Sequence, residues 1–206
     1  LLTPMEMEHQ LNDSGTKVVL TIDLLFEKVA EVADKTSFST VVVSEIADFL
    51  PGMKRFLGKL LKKIPTGEVK DLPGKKVIRF MDAIQGMPKD RVFVKRSMDD
   101  MIFMMYTGGT TGPSKGAILT QRSYMSNRTQ VLAWLDLGPE FFALSAFPLF
   151  HIAGLAFGGF SLTVGASQIC VPNPRDTDFI IKMVKTYKPG AIVNVPTVFF
   201  ELMKKP

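Results

Sequence analysis

The hydrophobic period along the first fifty positions switches several times between helical and extended spacing. Thr3-Pro4-Met5-Glu6 has the form of a capping box with proline at the first helical position, which predicts a helix from Pro4 to Asp13 ended by Gly15. Lys17 to Ile22 is a short β-branched run, Leu24 to Val32 has helical spacing, and Thr40 to Ser44 reads as a buried strand. Alternation resumes near residue 100 with strand Ile102 to Tyr106, a glycine-rich loop, strand Ala117 to Thr120 and helix Arg122 to Leu135. It continues with strand Ala143 to Phe147, helix Ile152 to Thr163, strand Gln168 to Val171, helix Thr177 to Tyr187, strand Ala191 to Val195 and a last helix from Pro196. This order predicts an α/β fold with partly parallel sheets flanked by helices.

Between these halves, Met53, Phe56, Leu57, Leu60, Leu61 and Ile64 fall on one helical face, and Lys54, Arg55, Lys59, Lys62 and Lys63 occupy the rest. Such a basic amphipathic helix either packs its apolar face on the domain or lies on an anionic membrane surface through residues 53–64. Its shortness and its lack of tryptophan favour packing on the domain. The chain thus divides into a first α/β segment (1–50), a basic insert and connector (51–98) and a second α/β segment (99–206).

Phe141 to Pro174 carries no Asp, Glu, Lys or Arg, long enough to raise a transmembrane helix, for which about 18 apolar residues suffice. Pro148, Gly154, Gly158, Gly159 and Gly165 break it, and no Lys/Arg cluster adjoins either end, so a buried strand, loop, helix and strand are expected instead. The chain has 206 residues, 46% of them hydrophobic, which is enough to bury a sizeable core. A formal net charge of +5 suits an anionic partner without choosing one. The single cysteine, Cys170, cannot close an internal disulfide and has the apolar neighbours of a buried structural thiol. The chain opens without an initiator methionine, a basic leader or a cleavage site and reads as starting mid-protein.

The chemistry concentrates in Tyr106-Thr107-Gly108-Gly109-Thr110-Thr111-Gly112-Pro113-Ser114-Lys115-Gly116. The glycines let backbone amides approach an anion, Thr107, Thr110 and Thr111 add hydroxyl donors, and Lys115 adds a full positive charge. Together these residue types make a cradle for a polyphosphate. A Walker A loop needs glycine immediately before the lysine and Ser/Thr immediately after, and Lys115 stands between Ser114 and Gly116. The three spaced glycines of a dinucleotide fingerprint are not met either.

This loop resembles the phosphate loop of the adenylate-forming superfamily, which comprises acyl-CoA synthetases, luciferases and peptide-synthetase adenylation domains. Thr3 to Gly15, Phe147-Pro-Leu-Phe-His-Ile-Ala-Gly-Leu155, Asn173-Pro-Arg-Asp176 and Asn194 to Phe200 look like long-chain fatty acyl-CoA ligases in particular. The resemblance implies part of the large N-terminal domain of such an enzyme, and ATP-dependent activation of a fatty acid to acyl-adenylate and then acyl-CoA. It implies ATP, Mg²⁺ and CoA as cofactors or co-substrates, with Thr107 to Gly112 on the β- and γ-phosphates, Lys115 countering pyrophosphate charge, and Thr110 as a metal contact. His151 would lie near the carboxylate and the adenylate and shape or polarise the acyl end of the pocket as a catalytic residue, and Gly154, Gly158 and Gly159 would either leave room for an acyl chain along a helix or allow close helix–sheet packing. One departure is Ser114, where relatives commonly have proline before the lysine, with Pro113 one place earlier. His9 is expected on a helix surface.

The family's downstream motifs, an acidic residue for Mg²⁺, an aspartate for the ribose and a lysine of a mobile C-terminal domain, would come after Pro206. The chain alone is therefore expected to lack ligase activity. A luciferase-like or carrier-loading second step, or a non-catalytic nucleotide-binding module, remain as alternatives. Expected partners are the fatty acid, ATP and CoA, with an anionic membrane as the further candidate, a homodimer as the candidate assembly and no nucleic acid. The expected location is the cytoplasm, with or without membrane association.

Overall fold

The structure, a computed structural model, describes residues 2–61, 63–90, 92–108, 112–135 and 137–205, with the backbone alone at residue 59. It consists of two compact units, Leu1–Arg96 with Tyr106–Ala117, and Ser97–Met105 with Ile118–Pro206.

The first unit begins with helix α1 (Pro4–Asp13), where Thr3 Oγ1 accepts from the Glu6 amide and the Glu6 carboxylate accepts from the Thr3 amide. The capping box read from the sequence is therefore formed. Strand β1 (Val18–Ile22) leads into a 3-10 turn, the short helix α2 (Phe26–Ala30) and a second 3-10 turn before strand β2 (Thr40–Ser44). The continuous helix expected over Leu24 to Val32 is thus cut short at both ends. At its start the Asp23 carboxylate, 2% exposed, accepts from the amides of Leu24 and Gly67 and holds a tight turn. At its end the Val32 amide bonds to the Val29 carbonyl, which narrows the last turn.

Helix α3 (Gly52–Leu60) follows, then strand β3 (Lys76–Arg79) and helix α4 (Phe80–Ile84). The sheet is parallel throughout in the order β1-β2-β3, with Val19 opposite Val41 and Val41 opposite Val77. Central β2 points Val41 and Val43, both 0% exposed, into a core shared with Phe26, Val29, Phe38 and Leu72. Helix α3 is shorter than the periodicity suggests, because the Lys63 amide turns back onto the Gly58 carbonyl. Its apolar face does not pack on the domain: Met53 is 78%, Phe56 68% and Leu60 65% exposed.

Strands β4 (Met101–Tyr106) and β5 (Gly116–Thr120) form a hairpin whose tip belongs to the first unit and whose base belongs to the second. Helix α5 (Gln121–Trp134), capped by Thr120, strand β6 (Phe142–Ser145), helix α6 (Ile152–Val164), strand β7 (Ser167–Cys170), helix α7 (Thr177–Tyr187), strand β8 (Ala191–Val193) and helix α8 (Pro196–Met203) complete the chain. The second sheet is also parallel, in the order β7-β6-β8. Its middle strand explains the charge-free stretch, since Ala143, Leu144 and Ser145 are all at most 2% exposed beneath Ile180 and Val198. Among the described residues no helix is long and apolar enough to cross a membrane. Cys170 is exposed rather than buried, because it ends the edge strand β7 instead of the central one.

Within this unit, α5 and α6 meet around an unusual group. Arg128, 2% exposed, stacks its guanidinium 3.1 Å from the Tyr124 ring centre and donates through Nη1 to the Tyr124 carbonyl and through Nη2 to the Ala156 carbonyl. Burial pulls its pKa below the usual arginine value.

Candidate phosphate-binding site

The hairpin tip is held on α1. Its first anchor is Tyr106, at the end of β4, whose hydroxyl donates to the Asp13 carboxylate at 2.6 Å and lies 3.3 Å from the Gln10 carbonyl. Burial, and then the hydrogen bond and charge of Asp13, push the Tyr106 pKa up to about 12. The second anchor is at the far side of the tip, where His9 Nε2 lies 2.8 Å from the Ser114 carbonyl oxygen and Gln10 donates to the Ser114 hydroxyl at 3.4 Å. His9 also meets the Tyr106 ring edge to face, with centroids 6.2 Å apart. His9 and Gln10 stand four and three residues before Asp13 on α1, so each neighbours it on the helix surface.

Between the anchors the tip is closed at its neck, where the Lys115 carbonyl accepts from the Thr107 amide at 3.0 Å and from its hydroxyl at 3.4 Å. Among the described residues of the tip, Thr107, Gly108, Gly112, Pro113 and Lys115 are exposed. Gly112 has φ +157°, a conformation that residues with a side chain rarely adopt. Gly109, Thr110 and Thr111 of the expected cradle lie outside the described residues. Lys115 has no carboxylate partner among the described residues, so its ammonium is available to an incoming anion. The tip itself contains no acidic residue, which suits a polyphosphate. No cluster of His, Cys, Asp or Glu among the described residues could hold a metal ion by itself.

His151 and Gly154 stand at the start of α6 in the second unit. His151 is the N-cap, its Nδ1 accepting from the Ala153 amide at 3.2 Å, and its ring is exposed. At Gly154 an added Cβ would collide with the Pro148 carbonyl and lie 3.0 Å from Leu149 Cα, so the glycine lets α6 close on the preceding loop.

Sequence reasoning missed His9 and Gln10. The signal was present in their sharing a helical face with Asp13, but nothing local says that the face meets a loop a hundred residues on.

The AMP-binding enzyme family matches residues 1–206. The long-chain-fatty-acid–CoA ligase of Salmonella typhimurium is 33% identical over 214 residues, covering 98% of this chain and 37% of that protein. Among solved structures, the anthranilate CoA ligase AuaEII in complex with anthranoyl-AMP superposes with a TM-score of 0.71 at 21% identity, over 97% of this chain and 34% of that one. A luciferase-like enzyme from the Zophobas morio mealworm also gives 0.71, at 15% identity, over 100% of this chain and 42% of that one. These two likenesses show a shared fold. The chain spans little more than a third of the length of the curated ligase it matches. By its match over the whole chain, and by relatives a third identical to it, this protein belongs to the AMP-binding enzyme family.

Proposed function

We propose that this chain supplies the phosphate-holding part of an ATP-dependent ligase that activates long-chain fatty acids. In the first step a carboxylate oxygen attacks the α-phosphorus of ATP, the bond to the bridging oxygen breaks, and acyl-adenylate and pyrophosphate form. In the second the CoA sulfur attacks the acyl carbonyl, its thiol proton passes to solvent, and AMP leaves. The observation that carries the reading is the anchoring of the loop's two ends on α1 through Tyr106 and Ser114, with the exposed Lys115 ammonium free of a carboxylate partner among the described residues.

Thr107 to Gly112 would cradle the β- and γ-phosphates with backbone amides and hydroxyls, positions 109–111 being assigned on sequence alone. Lys115 would meet the charge that grows on the departing pyrophosphate, where two unit charges about 4 Å apart near a protein surface attract by about 4 kcal/mol. Mg²⁺ would arrive on the nucleotide and neutralise phosphate charge, with the Thr110 hydroxyl as the candidate protein contact. His151 and Gly154 would border the acyl end of the pocket. The protein's part is alignment and charge compensation rather than covalent chemistry.

The test is pyrophosphate release by the whole protein across a series of fatty acids, followed by analysis of the product with and without CoA. A thioester formed only when CoA is present supports the ligase. Acyl-adenylate that persists in the presence of CoA would instead favour a carrier-loading or luciferase-like second step. No pyrophosphate release with any fatty acid would end the reading.

A further inference from the structure

The apolar face of α3 is unpartnered among the described residues, and its surroundings differ from those of the exposed apolar residues on β1. On β1, Val18 and Leu20 are 57% and 66% exposed without interleaved basic residues, as expected of a surface that more polypeptide covers. On α3, Met53, Phe56, Leu57 and Leu60, with Leu61 just beyond, repeat at intervals of three and four and stay exposed by 45% to 78%. Positions 54 and 59 border that apolar arc on either side, and Arg55 stands behind it. Residues 51–67 contain five cations and no acid, equal to the formal net charge of +5 of the whole chain. Protein interfaces deplete lysine relative to the rest of the surface, and this segment carries five cations with no acid, so its charge favours an anionic surface over a protein of mixed charge. An anionic lipid surface complements it, since hydrocarbon accepts the stripe and headgroup phosphates accept the flanking ammonium groups.

We propose that α3 docks this protein on an anionic membrane. Met53, Phe56, Leu57 and Leu60 enter the boundary between headgroups and acyl chains, and Lys54 and Lys63, both exposed, pair with lipid phosphates. The helix suits this role mechanically. The Leu61 amide bonds to the Leu57 carbonyl and the Lys63 amide to the Gly58 carbonyl, which closes the C-terminal turn without help from other elements. The proposal rests on the shape and charge of α3 and not on the reaction, so its test needs no ligase activity.

The whole protein is sedimented with vesicles of phosphatidylcholine, with and without phosphatidylglycerol. Binding should require the anionic lipid and should weaken between about 0.1 and 1 M salt, as the screening length falls from about 10 to 3 Å. Lys54→Glu with Lys63→Glu should lower the partition coefficient by about tenfold or more, and so should Phe56→Ser with Leu60→Ser. The charge reversal lies wholly on the surface and leaves the fold intact. In a Trp134→Phe background, Met53→Trp should shift its emission to the blue when anionic vesicles are added. Equal binding to neutral and anionic vesicles, or unchanged binding by both double variants, overturns the proposal. Emission from Met53→Trp that is already blue-shifted without vesicles and unmoved by them also overturns it, because the face is then covered by the protein itself.

Discussion

His9 Nε2 and the Ser114 carbonyl oxygen, 105 positions apart in sequence, stand 2.8 Å apart and tie the far side of the phosphate-loop tip to the first helix. A hydrogen bond of this kind contributes about 0.5–1.5 kcal/mol net, which is small for a fold but large for a loop proposed to hold phosphate. His9→Ala should therefore leave the melting temperature nearly unchanged while raising KM for ATP several-fold. Steady-state pyrophosphate release at saturating fatty acid checks it, and an unchanged KM would remove His9 from the anchor.

The anchor on the near side should carry a pH signature. Tyr106 has its pKa raised from 10.0 to about 12 by burial and then by Asp13. Because the folded value lies above the unfolded one, the neutral phenol favours the folded state. The contribution is fully present below about pH 10 and is lost as the pH rises through about 12. Titrating tyrosinate absorbance should show one of the three tyrosines ionising near pH 12. Asp13→Asn should bring that step down toward pH 10, and Tyr106→Phe should abolish it.

What the sequence made legible follows how local the causes are. Helix α7 starts where Asp176 caps it, Oδ1 accepting from the Phe179 amide at 2.9 Å, and the expected Thr177 to Tyr187 is the range found. Strand β2 and the glycine-rich loop were equally plain, because β-branched runs and Gly/Thr strings carry their own signals. Strand β3 was missed, since Lys76 and Arg79 at its ends look polar and it becomes a strand by pairing with the free edge of β2. Cys170 was misplaced for a related reason. Its neighbours are apolar, but whether a strand is central or at an edge is decided by topology, and β7 is at the edge. At the site, the loop was legible and its platform was not, because the bonds from His9, Gln10 and Asp13 join segments that no short-range pattern connects.

Lys115 is the loop residue whose removal should affect rate most. Its ammonium is exposed and unpaired among the described residues, so Lys115→Ala should leave stability within about 0.5 kcal/mol of the parent. If it meets charge that develops only as pyrophosphate departs, the variant should lose on the order of 100-fold or more in kcat with little change in KM for ATP. Single-turnover formation of acyl-adenylate separates this from slow product release. A loss confined to KM would assign Lys115 to ground-state binding of ATP instead.

Adjacent glycines in α6 should respond oppositely to the same substitution. A Cβ on Gly158 meets the flexible end of Leu149, 3.2 Å away, and Gln168 Oε1 at an ordinary 3.9 Å, so Gly158→Ala should be neutral or should gain up to about 1 kcal/mol from the better helix former. On Gly159 the added carbon would run into the Tyr124 hydroxyl and Arg128 Nη2. Neither side chain can easily yield, because the Arg128 guanidinium is stacked on Tyr124 and bonded to the carbonyls of Tyr124 and Ala156. Moving it would strip hydrogen bonds from a buried cation, so Gly159→Ala should cost about 1–3 kcal/mol, as overpacking commonly does. Thermal unfolding of the two single variants checks the contrast. Tyr124→Phe placed on Gly159→Ala should restore part of the loss by removing the hydroxyl from the clash. An equal effect of alanine at both glycines would mean that α5 and α6 do not meet through Arg128 as described.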